Sequence, residues 1–197
     1  MAPLDTHALV RTWQVLPSRG YTTAWAELAA GRLRARGRAV GLEPAPYWLA
    51  YELETGAHYV TRRLSVTVET HRTTARLELR RDDDGRWTAN GAPRPDLDGA
   101  LDCDLGLCPL TNTMPVLRHG LHQRPDAAAR TFLMAWVRVP DLVVSADRQT
   151  YTPLWAGQTG SRIRYESGDF RSDVVFDADG VVVDYPQLAT AVPVPGP

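Results

Sequence analysis

The chain has 197 residues, 44% hydrophobic and 23% charged, a balance that suits one globular domain with a sizeable core and excludes the composition of a disordered protein. Its 22 basic and 23 acidic residues leave a net charge of −1, so no standing positive field awaits nucleic acid or an anionic membrane. All 22 basic residues are arginine, which rules out chemistry that needs a Schiff-base or P-loop lysine.

The first 15 residues carry Asp5, His7 and Arg11 where a signal peptide would be apolar. No stretch approaches the roughly 18 consecutive apolar residues of a membrane-spanning helix. Cys103 and Cys108 are the only cysteines and make no disulfide framework. The expectation is a cytoplasmic protein with no integral membrane association.

Along the chain the hydrophobic period is mostly two. Strands are predicted over Ala8–Val15, Tyr21–Leu28, Arg32–Leu42 and Tyr47–Leu53, each bounded by Gly or Pro. From Val60 to Thr70, Leu64, Val66 and Val68 alternate with Arg63, Ser65, Thr67 and Glu69, the pattern of a half-buried strand. Thr74–Arg80 continues it, and Asp82–Gly85 supplies hairpin turn chemistry before Trp87. Further strands are predicted over Thr131–Val139, Leu142–Tyr151 and Ser161–Ser167. A last hairpin runs from Phe170–Phe176 through the turn Asp177–Gly180 to Val181–Tyr185. In Thr131–Val139 both faces are apolar, so that strand should be covered on both sides. Helix is expected only at Arg124–Ala129. Residues 1–191 read as a single β-rich domain, a sandwich, roll or barrel, and residues 192–197 as a flexible Pro-rich tail.

The segment from Asp98 to Gly120 breaks the pattern. It holds Pro109 and Pro115, the acids Asp102 and Asp104, and the run Thr111-Asn112-Thr113. Proline removes a ladder donor, so this is no ordinary central strand and is expected as an ordered irregular connection. Its hydroxyls and amide can satisfy backbone groups locally or face a cavity.

These residues carry a resemblance. The order Trp87, Leu97-Asp98-Gly99, Asp102–Leu105, Pro109–Pro115 and Arg118, then Pro140-Asp141-Leu142, Gln149-Thr150-Tyr151 and Val182–Pro186, resembles the Putative glycolipid-binding family of bacterial proteins. Pro46-Tyr47 through Tyr51 and Thr61-Arg62 fit too, so the resemblance runs from about Trp13 to Leu188. It implies a mainly β fold with little helix: an antiparallel β-roll or incomplete barrel enclosing a hydrophobic cavity, similar to the periplasmic carriers of lipoprotein acyl chains. The chain departs from the family pattern at Leu117, in place of the first arginine of a pair, at Leu110, in place of an aromatic residue, and at Cys108, in place of a hydroxyl residue.

Candidate site residues follow from both readings. Arg118 can pair with a carboxylate inside the fold or face a ligand oxygen. Asp102 and Asp104 share one strand face if the stretch is extended, and either is a hydrogen-bonded structural acid or an acid-base group of raised pKa. Cys103 and Cys108 lack zinc-knuckle spacing, and His119 and His122 lack the glutamate of a zinc-protease helix, so no metal or other cofactor is expected. The first functional reading is a binder of a hydrophobic or amphipathic small molecule, with Thr111, Asn112, Thr113, Arg118, Tyr151, Trp136 and Tyr51 lining its cavity. The alternative is an enzyme of bacterial secondary metabolism, a cyclase or isomerase, with Asp102 or Asp104 as acid or base, Arg118 as charge stabiliser and Tyr151 as donor. No oligomeric state follows from the sequence.

Overall fold

The computed structural model describes residues 6–193. Alternating sequence becomes strand almost wherever it occurs. The first wing comprises β1 (His7–Val15), β2 (Gly20–Ala29), β3 (Arg32–Gly41), β4 (Tyr47–Thr55), β5 (Thr61–Thr70), β6 (Thr74–Arg81), β7 (Trp87–Ala89) and β8 (Ala92–Pro93). The second comprises β9 (Asp102–Leu105), β10 (Arg130–Val137), β11 (Val144–Gly157), β12 (Gly160–Ser167), β13 (Phe170–Phe176), β14 (Val182–Tyr185) and β15 (Ala189–Ala191). Among the described residues one α-helix, α1 (Thr113–His119), lies between β9 and β10.

All 15 strands belong to one sheet, in the order β8 through β1 and then β15 down to β9. Neighbours are antiparallel except for β9 and β10, which run parallel with Asp102 opposite Met134 and Asp104 opposite Trp136. The edges β8 and β9 do not pair, so the sheet is an open roll rather than a barrel. β9 is nevertheless tucked inside: the Thr61 amide donates to Leu101 O at 2.9 Å and the Cys103 amide to Thr61 Oγ1 at 3.0 Å. All four β9 residues are buried, which removes an exposed edge.

The pleat explains which residues face inward. On β4, Tyr47, Leu49, Tyr51 and Leu53 are buried and the alternating residues are not. Each fully buried leucine of this kind is worth about 1.5–3 kcal/mol. Gly37 and Gly41 make room for the aromatic members of that face. A Cβ on Gly37 would lie 2.1 Å from the Tyr51 ring, and one on Gly41 2.4 Å from that of Tyr47. The larger core sits under the first wing with Trp13, Leu64, Leu79 and Trp87. The smaller one, under the second wing, gathers Tyr151, Ile163, Tyr165, Phe176 and Tyr185. β9 and β10 lie between them, since Cys103, Leu105, Ala135 and Val137 join the larger core while Met134 joins the smaller. The expected two-sided covering of β10 is thus observed.

Two expectations about helix are corrected. Residues 124–129 form turns and irregular backbone. A segment this short, with only Ala127 packed on a core, cannot offset the cost of helix nucleation. The helix lies instead within the stretch expected to be an irregular connection. There Pro109–Asn112 makes a 3-10 turn and α1 follows. Pro115 falls in the first helical turn, where a missing N–H costs nothing, and Gly120 at φ +60° ends the helix, its N–H returning to Leu117 O and Val116 O. Both predicted Asp-rich turns form, with Gly85 at φ +85° and Gly180 at φ +73°. β11 runs past its predicted end at Tyr151 to Gly157 because a register shift beside Pro153 absorbs the missing donor. Of the predicted tail, Val192 still donates to Thr12 O at 2.8 Å, and residues 194–197 lie outside the described residues.

Candidate functional site

Successive inward positions on the second wing bring polar and aromatic groups into register. Asp104 lies opposite Trp136, Gln149 opposite Ser167, and Tyr151 opposite Tyr165. Asp147, Gln149 and Tyr151, two residues apart on β11, therefore share the sheet face of Asp104 on β9, and Asp104 and Asp147 look into a common space. That space is a cavity of about 760 Å³, within the ~300–1,000 Å³ usual for small-molecule sites. Its apolar wall includes Leu105, Leu107, Trp136, Phe170, Tyr185 and Leu188, and its polar wall Asp104, Asn112, Asp147 and Ser167. Pro17, Glu43 and Pro44 complete it from the first wing.

A continuous hydrogen-bond network fixes the polar wall. Asp104 accepts from Thr111 Oγ1 at 2.7 Å and from Gln149 Nε2 at 2.7 Å. Gln149 Nε2 also donates to Asp147 at 3.0 Å, and Ser167 Oγ to the same carboxylate at 2.8 Å. The Tyr151 hydroxyl donates to Gln149 Oε1 at 3.2 Å and accepts from Asn112 Nδ2 at 2.9 Å. Behind it the rings of Phe132, Tyr151, Tyr165 and Tyr185 follow one another at centroid separations of 5.4–5.7 Å, favourable tilted and edge geometries. Burial raises the Asp104 pKa above the ordinary carboxylate value, with Thr111 and Gln149 pulling the other way and Asp147 adding to the rise. Burial also holds Tyr151 well above the ordinary phenol value. A carboxylate has about four acceptor positions, so Asp104 and Asp147 keep capacity for hydroxyl donors from a guest.

Asp102 and Arg118 form a separate pair. The Arg118 guanidinium contacts the Asp102 carboxylate, and the two side chains are only 7% and 1% exposed. Burial carries the Asp102 pKa up to about 6 against the opposing pull of Arg118. Asp102 Oδ1, Arg118 Nε and Nη1, and Thr113 Oγ1 are buried without a hydrogen-bond partner among the described residues.

Of the sequence candidates, Asp104, Asn112 and Trp136 line the cavity, while Thr111 and Tyr151 join the hydrogen-bond network behind it without lining it. Asp102, Arg118 and Thr113 are buried nearby and do not line it. Tyr51 lies apart, beside Cys108 on a much smaller cavity against β2–β4. Sequence reasoning missed Asp147 and Ser167 and gave Gln149 no role. The signal was available: Asp147, Gln149 and Tyr151 recur every second residue on a predicted strand. Among the described residues no cluster of His, Cys, Asp and Glu has the arrangement of a metal site.

The class defined by this fold and site is an open, mainly antiparallel β-roll with a cavity that is aromatic on one wall and carboxylate-bearing on the other. The family model described as Putative glycolipid-binding matches residues 10–191, and the chain belongs to that family. Among solved structures it is similar to a DUF1089 family protein from Pseudomonas aeruginosa, at 28% identity and a TM-score of 0.69, covering 86% of this chain and 91% of the other. No curated protein matches the chain.

Proposed function

We propose that the protein binds an amphipathic small molecule with a polyhydroxylated, glycolipid-like head, held in the cavity between β9 and β14. The observation that carries this reading is the Asp104 carboxylate, fixed by Thr111 and Gln149 on the wall of a cavity that also presents Trp136. Buried carboxylates accept hydrogen bonds from hydroxyl groups, and aromatic rings cover the apolar faces of a sugar or the start of a lipid chain. Asp147 and Asn112 extend the polar wall, and Leu105, Leu107 and Leu188 offer the apolar remainder. The family description agrees with this chemistry.

The test is calorimetric titration with dodecyl maltoside below its critical micelle concentration. Binding is expected, and Asp104→Asn should weaken it about tenfold, the loss of roughly one charge-assisted hydrogen bond. Thermal unfolding of the variant separates a binding defect from a folding defect. No binding to the wild type, or unchanged affinity in both Asp104→Asn and Trp136→Ala, would overturn the reading.

A further inference from the structure

The roll has two unlike ends. Strand directions place the connections 16–19, 42–46, 138–143, 168–169 and 186–188 together at one end. They are tied to one another there: Leu16 N donates to Leu188 O at 2.9 Å, Leu42 N to Ser18 O at 2.7 Å, and Ser172 Oγ to Pro186 O at 3.0 Å. The cavity is lined from these connections by Pro17, Glu43, Pro44, Arg138, Val139 and Leu188. The opposite end is closed. The chain leaves β9 at the first end and returns to begin β10 at the second, and the helix α1 and the turn after it fill the space there. Gly180, in the far-end turn before β14, lies against Leu117 and His122. The cavity therefore has its way out through the end that gathers those connections.

That end carries an unusual share of exposed apolar side chains. Leu16, Leu42 and Val143 stand in the connections themselves and Phe170 at the start of β13, each between 37% and 52% exposed. Tyr21 and Trp48 follow on the outer face of the strands that start there, both across from Val40, and Trp48 is 66% exposed. Isolated exposed hydrophobics need no explanation, but a ring of them around a cavity mouth does. The rim arginines do not make a basic patch, because Arg19 is paired with Glu43 and Arg138 with Asp141.

We propose that this rim inserts into the surface of a lipid bilayer, so that an amphiphile passes between bilayer and cavity without crossing water. The occupant is a bilayer, and not another protein, because the apolar tips come from separate turns encircling an opening rather than from one flat patch. Their charge balance makes the attachment one of apolar insertion and not of attraction to anionic lipid. Tryptophan and tyrosine beside the rim suit the headgroup level of such a surface. This inference rests on the cavity reading above.

Flotation with phosphatidylcholine vesicles tests it, with dodecyl maltoside binding below the micelle concentration as the separate assay of the cavity. The wild type should float with vesicles at low and high salt alike. The Leu16→Ser/Leu42→Ser double variant should float about tenfold less while binding the detergent as the wild type does. Trp155→Ser, at the closed end, should float unchanged. Wild type that binds detergent yet stays with the aqueous layer, release by high salt, or a rim variant that floats like wild type would each overturn the inference while leaving the cavity reading in place. Wild type that stays unbound while the rim substitutions convert a dimer to a monomer would overturn it in favour of a self-association face. Failure of wild type to bind the detergent would overturn the cavity reading and this inference with it.

Discussion

Replacing Arg118 by methionine should destabilise the protein in a way that grows with pH. The substitution keeps the aliphatic bulk of the side chain and removes the cation that contacts Asp102. Asp102 is already an acid whose folded pKa, about 6, lies above the unfolded value of 3.8. A carboxyl so placed contributes its full stability below the unfolded pKa and loses it as pH rises through the folded one. At neutral pH that loss amounts to about 3 kcal/mol in the wild type. Without Arg118 the folded pKa moves higher still, so the loss extends further upward in pH. Breaking a buried pair costs about 3–5 kcal/mol, and at a urea slope of ~2 kcal/mol/M the unfolding midpoint should fall by about 1.5–2.5 M near pH 8. Near pH 5, where Asp102 is largely protonated in both proteins, the gap should shrink markedly. The assay is urea unfolding followed by tryptophan fluorescence at both pH values, with the Asp102→Leu/Arg118→Met double variant closing the cycle. Recovery of much of the stability in the double variant is expected, because neither charge is then left buried alone. A loss below about 1 kcal/mol, or one equal at both pH values, would refute the reasoning.

Other consequences are simpler to check. Gly37→Ala places a methyl group 2.1 Å from a Tyr51 ring that is only 1% exposed; the expected cost is about 1–3 kcal/mol, read as a lower Tm. Both thiols are buried, and burial pushes Cys108 up to about 11. Ellman's reagent should therefore label neither in native buffer and both in denaturant, and rapid labelling of the native protein would contradict their placement.

The strands were legible because a half-buried sheet writes its period into the chain: Leu64, Val66 and Val68 inward, Arg63, Ser65 and Thr67 outward or at the margin. The helix was not, because Pro115 argues against a strand just as strongly as it permits a first helical turn, and only Gly120 four residues after Val116 hinted at which applied. The parallel partnership of β9 with β10 was invisible for another reason. It pairs residues 32 positions apart, through a stretch whose hydrophobicity is continuous on β10, and strand pairing of that kind depends on tertiary context rather than local pattern. At the site, the Asp102 to Arg118 segment drew attention through its composition, but Asp147 and Ser167 are ordinary strand residues until register brings them beside Gln149.

Within the sheet the two wings are joined where β15 pairs with β1, over three residue pairs from Trp13 with Ala191 to Val15 with Ala189. Trp13 Nε1, donating to Val182 O at 2.8 Å, and Arg11, bound to Asp177 at 2.6 Å, pin the same junction. Contacts between segments so distant in sequence are entropically costly and tend to form late. The cavity straddles that junction, taking Pro17, Glu43 and Pro44 from one wing and the rest of its lining from the other. It comes into being only when the seam has closed. A guest therefore finds its complete binding surface in the fully assembled chain alone, and by mass action its occupancy works as a clasp across the seam between the halves.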